Sequence, residues 1–328
     1  MPLPARSPFS PLTLWGSAVV ALALGACTSA NPSNGFGGGS GGASGQPGTG
    51  GSAASSGTGG SPGGGTGGGG IELGDSGGGT PSGCSKESQF VYVIGQAGML
   101  YKFDPPSLAF TQIGMVKCGG LGNTPYSMAV DREANAWIVT TSGKVFRVST
   151  ADASCTPTGY APNQAGVGTF GMGFSTAGPG STVDTLFIAD SNTGSNAKGL
   201  GFIDTATLQL NVIGNYDLIS ARAELTGTGD GRLYAAFEGT PYVVAELDKT
   251  SAHVVSQAPQ SQIKYGAGQS NFAFAFWGGS FWLFVGPGTS TDVFEYDPAS
   301  GTTAKRTSVS QVIVGAGVST CAPLAPPR

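Results

Sequence analysis

The sequence predicts an all-β fold: a β-propeller of about five four-stranded blades, its ring closed by the C-terminal strand pairing into the first blade. Three observations carry this. One phrase recurs five times, at Leu100–Ser107, Val145–Asp152, Leu200–Thr207, Val244–Ser251 and Val293–Ser300. Its turn residues Asp104, Ser149, Asp204, Asp248 and Asp297 are spaced by 45, 55, 44 and 49 residues, the length of one four-stranded blade. Upstream of the phrase lie two more strands, split in the fourth unit by Asp230-Gly231 and in the fifth by Gly278-Gly279, both strong hairpin turns. Finally, the first unit lacks an innermost strand, because Phe90–Val93 already reads as its second; Val314–Cys321 at the chain's end supplies one.

Within each phrase an apolar strand runs into Asp or Ser, then two small or turn-forming residues, then usually Ser or Thr. The side-chain oxygen can accept backbone N–H bonds from the residues that follow, and Pro in the next position presets φ for the turn. In the second unit the upstream strands are Ser127–Val130 and Ala136–Val139; in the fourth, Glu224–Gly227 and Arg232–Ala235; in the fifth, Phe272–Ala275 and Phe281–Phe284.

The chain's beginning is of another kind. Arg6 precedes an apolar run from Leu12 to Ala26, too short for a membrane span and read as a secretory signal peptide over residues 1–26. It closes on Leu24-Gly25-Ala26-Cys27, which resembles the lipobox of bacterial lipoproteins. That resemblance implies cleavage between Ala26 and Cys27, acyl chains on Cys27, and a membrane partner held through those chains. Thr28 stands where an Asp retains enteric lipoproteins at the inner membrane, so the expected location is the cell envelope, at the outer membrane, on its periplasmic or surface side. Residues 28–83 are a Gly/Ser-rich tether lacking the apolar side chains needed to offset ordering entropy. A coil of that length has an r.m.s. span of roughly 40 Å.

Residues 84–328 are long enough for one domain with a substantial core. Their 17 acidic residues exceed their 14 basic ones. No basic stripe exists to neutralise phosphates, so nucleic acid is not an expected partner. Cys84, Cys118, Cys155 and Cys321 are an even set outside the cytoplasm, which favours disulfides. Propeller order puts Cys84 and Cys321 on one face of the first blade, predicting a bond that staples the ring; Cys118–Cys155 then follows by exclusion.

Phe202–Thr207 resembles the YVTN-type propeller repeat, and Thr185–Asp190 the corresponding strand of NHL-type repeats. The whole plan, lipobox then tether then propeller, resembles lipoproteins of myxobacteria and their relatives. That group carries no catalytic motif to transfer.

Chemistry is sparse. His253, the sole histidine, falls in an outermost strand, which disfavours a Ser/His/Asp site. Asp131 and Glu224 are the carboxylates of the innermost strands, but at opposite ends of them, and hydrolysis of a glycoside needs a close pair. The loop Asp190–Asn196 has oxygen ligands with a single acid, a poor calcium site. No metal or cofactor is expected. Tyr126, Tyr160, Phe170, Tyr216 and Tyr242 lie at or near blade-connecting loops and are the candidate ligand-binding residues, able to stack on sugars or peptides. Trp137, Phe276 and Trp282 are read as packing between blades, and Ala129, Gly173, Gly227 and Ala275 as small residues at the centre. The expected function is a non-enzymatic binding or scaffolding module for a glycan or protein ligand; the alternative is a carbohydrate-active hydrolase using carboxylates in the central pit.

Overall fold

A computed structural model describes residues 83–116, 118, 124–266, 268 and 271–327. The signal segment, the lipobox with Ala26 and Cys27, and all but the last residue of the tether lie outside the described residues. Twenty strands form five four-stranded antiparallel sheets, the five blades of a β-propeller. Blade 1 contains β1 (Val91–Gly95), β2 (Met99–Asp104) and β3 (Ala109–Met115), with β20 (Ile313–Val318) as its innermost strand. Blade 2 is β4 (Pro125–Val130), β5 (Asn135–Thr140), β6 (Val145–Ser149) and β7 (Cys155–Pro157). Blade 3 is β8 (Phe170–Thr176), β9 (Asp184–Asp190), β10 (Leu200–Ile203) and β11 (Leu210–Gly214). Blade 4 is β12 (Ala223–Gly227), β13 (Leu233–Phe237), β14 (Tyr242–Leu247) and β15 (Val254–Gln260). Blade 5 is β16 (Asn271–Trp277), β17 (Ser280–Gly286), β18 (Thr291–Asp297) and β19 (Thr302–Val309).

The ring closes as the sequence predicts: β20 pairs with β1, Val318 opposite Val91 and Ala316 opposite Val93. The closing strand ends at Val318 rather than at Cys321, because Ser319–Ala322 turns back, with Ala322 N–H donating to the Ser319 carbonyl at 3.0 Å. That turn brings Cys321 to Cys84, and the two are bonded. Cys118, beyond β3, is bonded to Cys155 at the start of β7, so the outer strands of blades 1 and 2 are joined.

The five repeated turns share a geometry. Asp204 accepts from the N–H groups of Ala206 and Thr207 at 2.9 and 3.1 Å, and Asp248 from those of Thr250 and Ser251 at 2.8 and 2.9 Å. These bonds hold both carboxyls below their usual range, Asp248 at about 2, where the Thr250 hydroxyl is the largest contributor. Four residues past each turn former the backbone is left-handed: Leu108, Ala153, Leu208, Ala252 and Gly301, with φ from 58° to 68°. His253 therefore stands just outside β15, at the exit of that turn, and not within the strand.

The core is five wedges, one between each pair of neighbouring blades. Inner and second strands are buried on both faces, as the continuous burial of β8, β12, β13 and β16 shows. Trp137, Phe276 and Trp282 fill these wedges as expected.

Candidate functional site

An innermost strand has one edge with no partner in its own sheet, and its buried N–H and C=O groups must be satisfied elsewhere. Here the inner strands satisfy one another. The Ser127 hydroxyl of β4 accepts from Met172 N–H of β8 at 3.0 Å, and the Thr226 hydroxyl of β12 accepts from Phe276 N–H of β16 at 3.1 Å. Such close approach requires glycine: a Cβ on Gly171 would stand 2.1 Å from the Ala223 carbonyl oxygen, and one on Gly227 2.2 Å from that of Phe174. The small residues expected to line an open centre are thus small because strands pack there. Gly173 is pressed against Leu225, and Ala129 and Ala275 are buried.

At the end where the inner strands finish, the axis is filled. A Cβ on Gly229 would lie 2.4 Å from the Thr320 carbonyl oxygen. Arg132 donates to the Thr320 hydroxyl at 3.0 Å and pairs with Asp184 at 3.4 Å, and Thr320 donates to Asp184 at 2.7 Å. Burial pushes the Asp184 carboxyl up, against these partners. The described chain enters at this face, where the Gly83 carbonyl accepts from Arg132.

At the other end the axis opens into a pit of about 390 Å³. Four blades contribute to it: Gln96, Val312 and Val314 from blade 1, Pro125, Tyr126 and Thr141 from blade 2, Arg222 and Glu224 from blade 4, Asn271 and Phe272 from blade 5. Glu224 is 3% exposed and is the buried carboxylate of the pit. It accepts the Ser127 hydroxyl at 2.5 Å. Burial raises its pKa well above the usual carboxylate range, against the Ser127 bond and the charge of Arg222.

Arg222 is held by Glu238, which takes its Nε and Nη2, the latter at 2.8 Å. This pairing raises the guanidinium pKa further, with lesser contributions from Tyr126. Glu238 also accepts Gly268 N–H at 2.9 Å. The Arg222 guanidinium lies 5.4 Å from the centre of the Phe272 ring. The Asn271 amide is spent internally, donating to Thr291 and the Ile313 carbonyl at 2.9 and 2.8 Å and accepting Gly288 N–H at 3.0 Å.

The candidate aromatics divide. Tyr126 lines the pit. Tyr216 lines a separate depression beside Asp190, but its hydroxyl is buried and its ring meets Phe237 edge-on at 4.8 Å. Tyr160, Phe170 and Tyr242 are corrected to core residues. Phe170 and Tyr242 open strands whose first side chains point into a wedge, and Tyr160 packs on Phe170 at 6.0 Å. Loss of solvation raises the Tyr160 phenol to about 12.

Asp131 and Glu224 are not a pair. Ser127 contacts Glu224, and Asp131 lies four residues further along, roughly 13 Å at the rise of a strand. Glycoside hydrolysis uses separations of about 5 to 9.5 Å. Asp131 is also fully engaged, accepting from Asn135 N–H at 2.8 Å and from Trp137 Nε1 at 3.0 Å. Asp190 likewise serves its own loop, accepting Asn192 and Lys198 N–H groups at 3.1 and 2.8 Å. Among the described residues no cluster of His, Cys, Asp and Glu could hold a metal ion.

Arg222 and Glu238 went unread in the sequence, and the signal is partial: Asp230-Gly231 marks the hairpin, but the loop is three residues, Gly229–Gly231, which sets Ala223 opposite Phe237 and Arg222 opposite Glu238, one residue from the pairing a two-residue loop would give. Asn271 has no comparable signal.

No protein-family model and no curated protein matches the chain. Among solved structures, one from a nidogen/laminin complex is similar at 11% identity and a TM-score of 0.46, covering 70% of this chain and 97% of that one. A protein of unknown function from Bacteroides thetaiotaomicron is similar at 12% identity and a TM-score of 0.40, covering 70% and 64%. YCF48 bound to D1 peptide is similar at 14% identity and a TM-score of 0.35, covering 66% and 63%. At these values the likenesses bear on no functional residue.

Proposed function

We propose that this protein is a binding module of the bacterial cell envelope, anchored by acyl chains on Cys27 and taking its ligand, a glycan or a protein segment, in the axial pit. The observation that carries the reading is the asymmetry of the axis: one end is filled by Arg132, Asp184, Gly229 and Thr320, and the other opens over Tyr126, Arg222 and Glu224. A pit of about 390 Å³ is within the range that holds a small ligand, about 300–1,000 Å³. Gly83, the first described residue, lies at the filled end, where its carbonyl accepts from Arg132.

Two measurements test this. Cys27→Ala is expected to move the protein from the membrane to the soluble fraction without unfolding the domain; a variant that still sediments with membranes rules out the lipid anchor. A glycan array and a peptide array, with the same samples assayed for released sugars, are expected to give binding without release. Gln96→Trp fills the pit from an exposed side chain whose backbone bond to Val312 is unchanged, and is expected to abolish that binding. Full binding by Gln96→Trp would place the site elsewhere, and sugar release would make the protein a hydrolase.

A further inference from the structure

The charges in the pit are unequally committed. Arg222 is bound through two nitrogens to Glu238 and also interacts with Tyr126, and Glu238 is bound again by Gly268 N–H, so the Arg222 charge is compensated within the pit wall. The Asn271 amide is consumed by Thr291, Ile313 and Gly288. A ligand anion would therefore find, among the described residues lining the pit, a cation that is already paired with a carboxylate. Glu224 differs. It is buried at the pit, bound by the Ser127 hydroxyl on one oxygen, with Arg222 already claimed by another carboxylate. Tyr126 stands in the same lining. A buried carboxylate in a cleft that also holds an aromatic residue is chemistry suited to an ammonium group.

We propose that the axial pit binds a protonated amine, with Glu224 as its counter-ion and Tyr126 beside it. The inference rests on the pit being the ligand site and names the ligand's chemistry. Burial disfavours the Glu224 charge, and an ammonium in contact favours it, so binding drives ionisation. The step balances: any proton held by the Glu224 carboxyl passes to solvent, and the carboxylate pairs with the R–NH₃⁺ group. Arg222 is the charged group acting on Glu224, and Glu238 and Tyr126 in turn act on Arg222; β4 and β8 present Ser127 and Met172 to Glu224, and β16 and β20 line the pit with Asn271, Phe272 and Val314. An amino sugar and a lysine side chain both carry the required ammonium.

The test is calorimetric titration of the full chain with butylamine, glucosamine and an N-acetylated lysine amide, each beside its amine-acetylated counterpart, at about pH 6 and about pH 8. Acetylating the amine is expected to weaken binding at least about 10-fold, and Glu224→Gln to weaken the amine by a similar factor. Affinity for butylamine and the lysine amide, whose amines stay protonated across this range, is expected to rise with pH, with proton release visible as a dependence of the heat on buffer. Tightest binding of glucosamine would identify an amino-sugar ligand, and of the lysine amide a protein segment. Equal binding of amine and acetylated forms, or unchanged binding by Glu224→Gln, overturns the proposal. A second readout needs no variant: the carbon resonance of the Glu224 carboxyl is expected to titrate at lower pH when butylamine is added, and an unmoved midpoint overturns it too. If a neutral glycan binds and Gln96→Trp abolishes that binding while no amine binds, the pit stands as a site and only the amine assignment falls. If Gln96→Trp affects no bound ligand, both readings fall.

Discussion

The Ser127 hydroxyl and the Glu224 carboxylate, 97 residues apart in the chain, meet between the inner strands of blades 2 and 4 at 2.5 Å. The same hydroxyl accepts Met172 N–H of blade 3. One side chain thus links three blades through atoms that a smaller residue lacks. Ser127→Ala removes the hydroxyl that accepts the buried Met172 N–H and removes a donor from a buried carboxyl. Each such loss costs about 1–3 kcal/mol. Equilibrium denaturation is expected to show a drop within or above that range, with blades still formed by circular dichroism. An unchanged midpoint would mean that the hydroxyl does not bridge the blades.

Glu224 makes stability depend on pH. Its folded pKa lies above its ordinary value near 4.5, so the folded state holds the proton more tightly than the unfolded chain does. Its contribution is therefore fully present below about pH 4.5 and is lost as pH rises through the folded pKa. Glu224→Gln keeps the shape and removes the titration. Thermal unfolding across this window is expected to show the wild type losing stability relative to Glu224→Gln as pH increases. Parallel curves for the two proteins would refute a buried, proton-holding Glu224.

The two disulfides should differ in what they contribute. Cys84–Cys321 closes a loop of 237 residues and Cys118–Cys155 one of 37. In the loop-entropy account, removing the first costs roughly 1.5 kcal/mol more than removing the second. Denaturation of Cys321→Ser and Cys155→Ser variants, each with its partner also changed to Ser, measures the difference. The ring-closing bond also holds Cys84 beside Arg132 at the filled end of the axis, where Arg132 donates to the Cys84 sulfur at 3.3 Å. Proteolysis is therefore expected to reach residues 83–90 first in the Cys321→Ser protein.

The fold was legible because a blade is a period. Five Asp or Ser turns at near-constant spacing fix the strands around them, and a missing first strand with a surplus last one fixes closure. The site was less legible because it depends on which way a side chain points. Tyr242 and Phe170 neighbour loops in sequence, yet each is the first residue of a strand and faces a wedge. Glu224 could be named as an inner-strand carboxylate, but its burial by Ser127 and Met172 comes from strands distant in the chain. Arg222 and Glu238 escaped hairpin arithmetic, because Asp230-Gly231 read as a two-residue loop sets Arg222 opposite Gly239, one residue off the register that the three-residue loop imposes.

Glycine plays two different parts in this ring, and substitution separates them. Gly301 occupies the left-handed position that Leu108, Ala153, Leu208 and Ala252 occupy in the other four blades, and its Cβ would enter open space. Gly301→Ala therefore pays only the left-handed backbone cost, about 1–2 kcal/mol. Gly171 sits where two inner strands touch, and a Cβ there would overlap the Ala223 carbonyl oxygen at 2.1 Å and crowd Glu224 Cα at 2.9 Å. Both neighbours are backbone, so neither can rotate aside, and relief requires blades 3 and 4 to separate. Gly171→Ala is expected to cost about 3 kcal/mol or more and to loosen the Ser127–Glu224 contact. Comparing the unfolding midpoints of the two variants tests this directly. Equal losses would mean that the inner strands are not in van der Waals contact and that the axis is wider than the glycines imply.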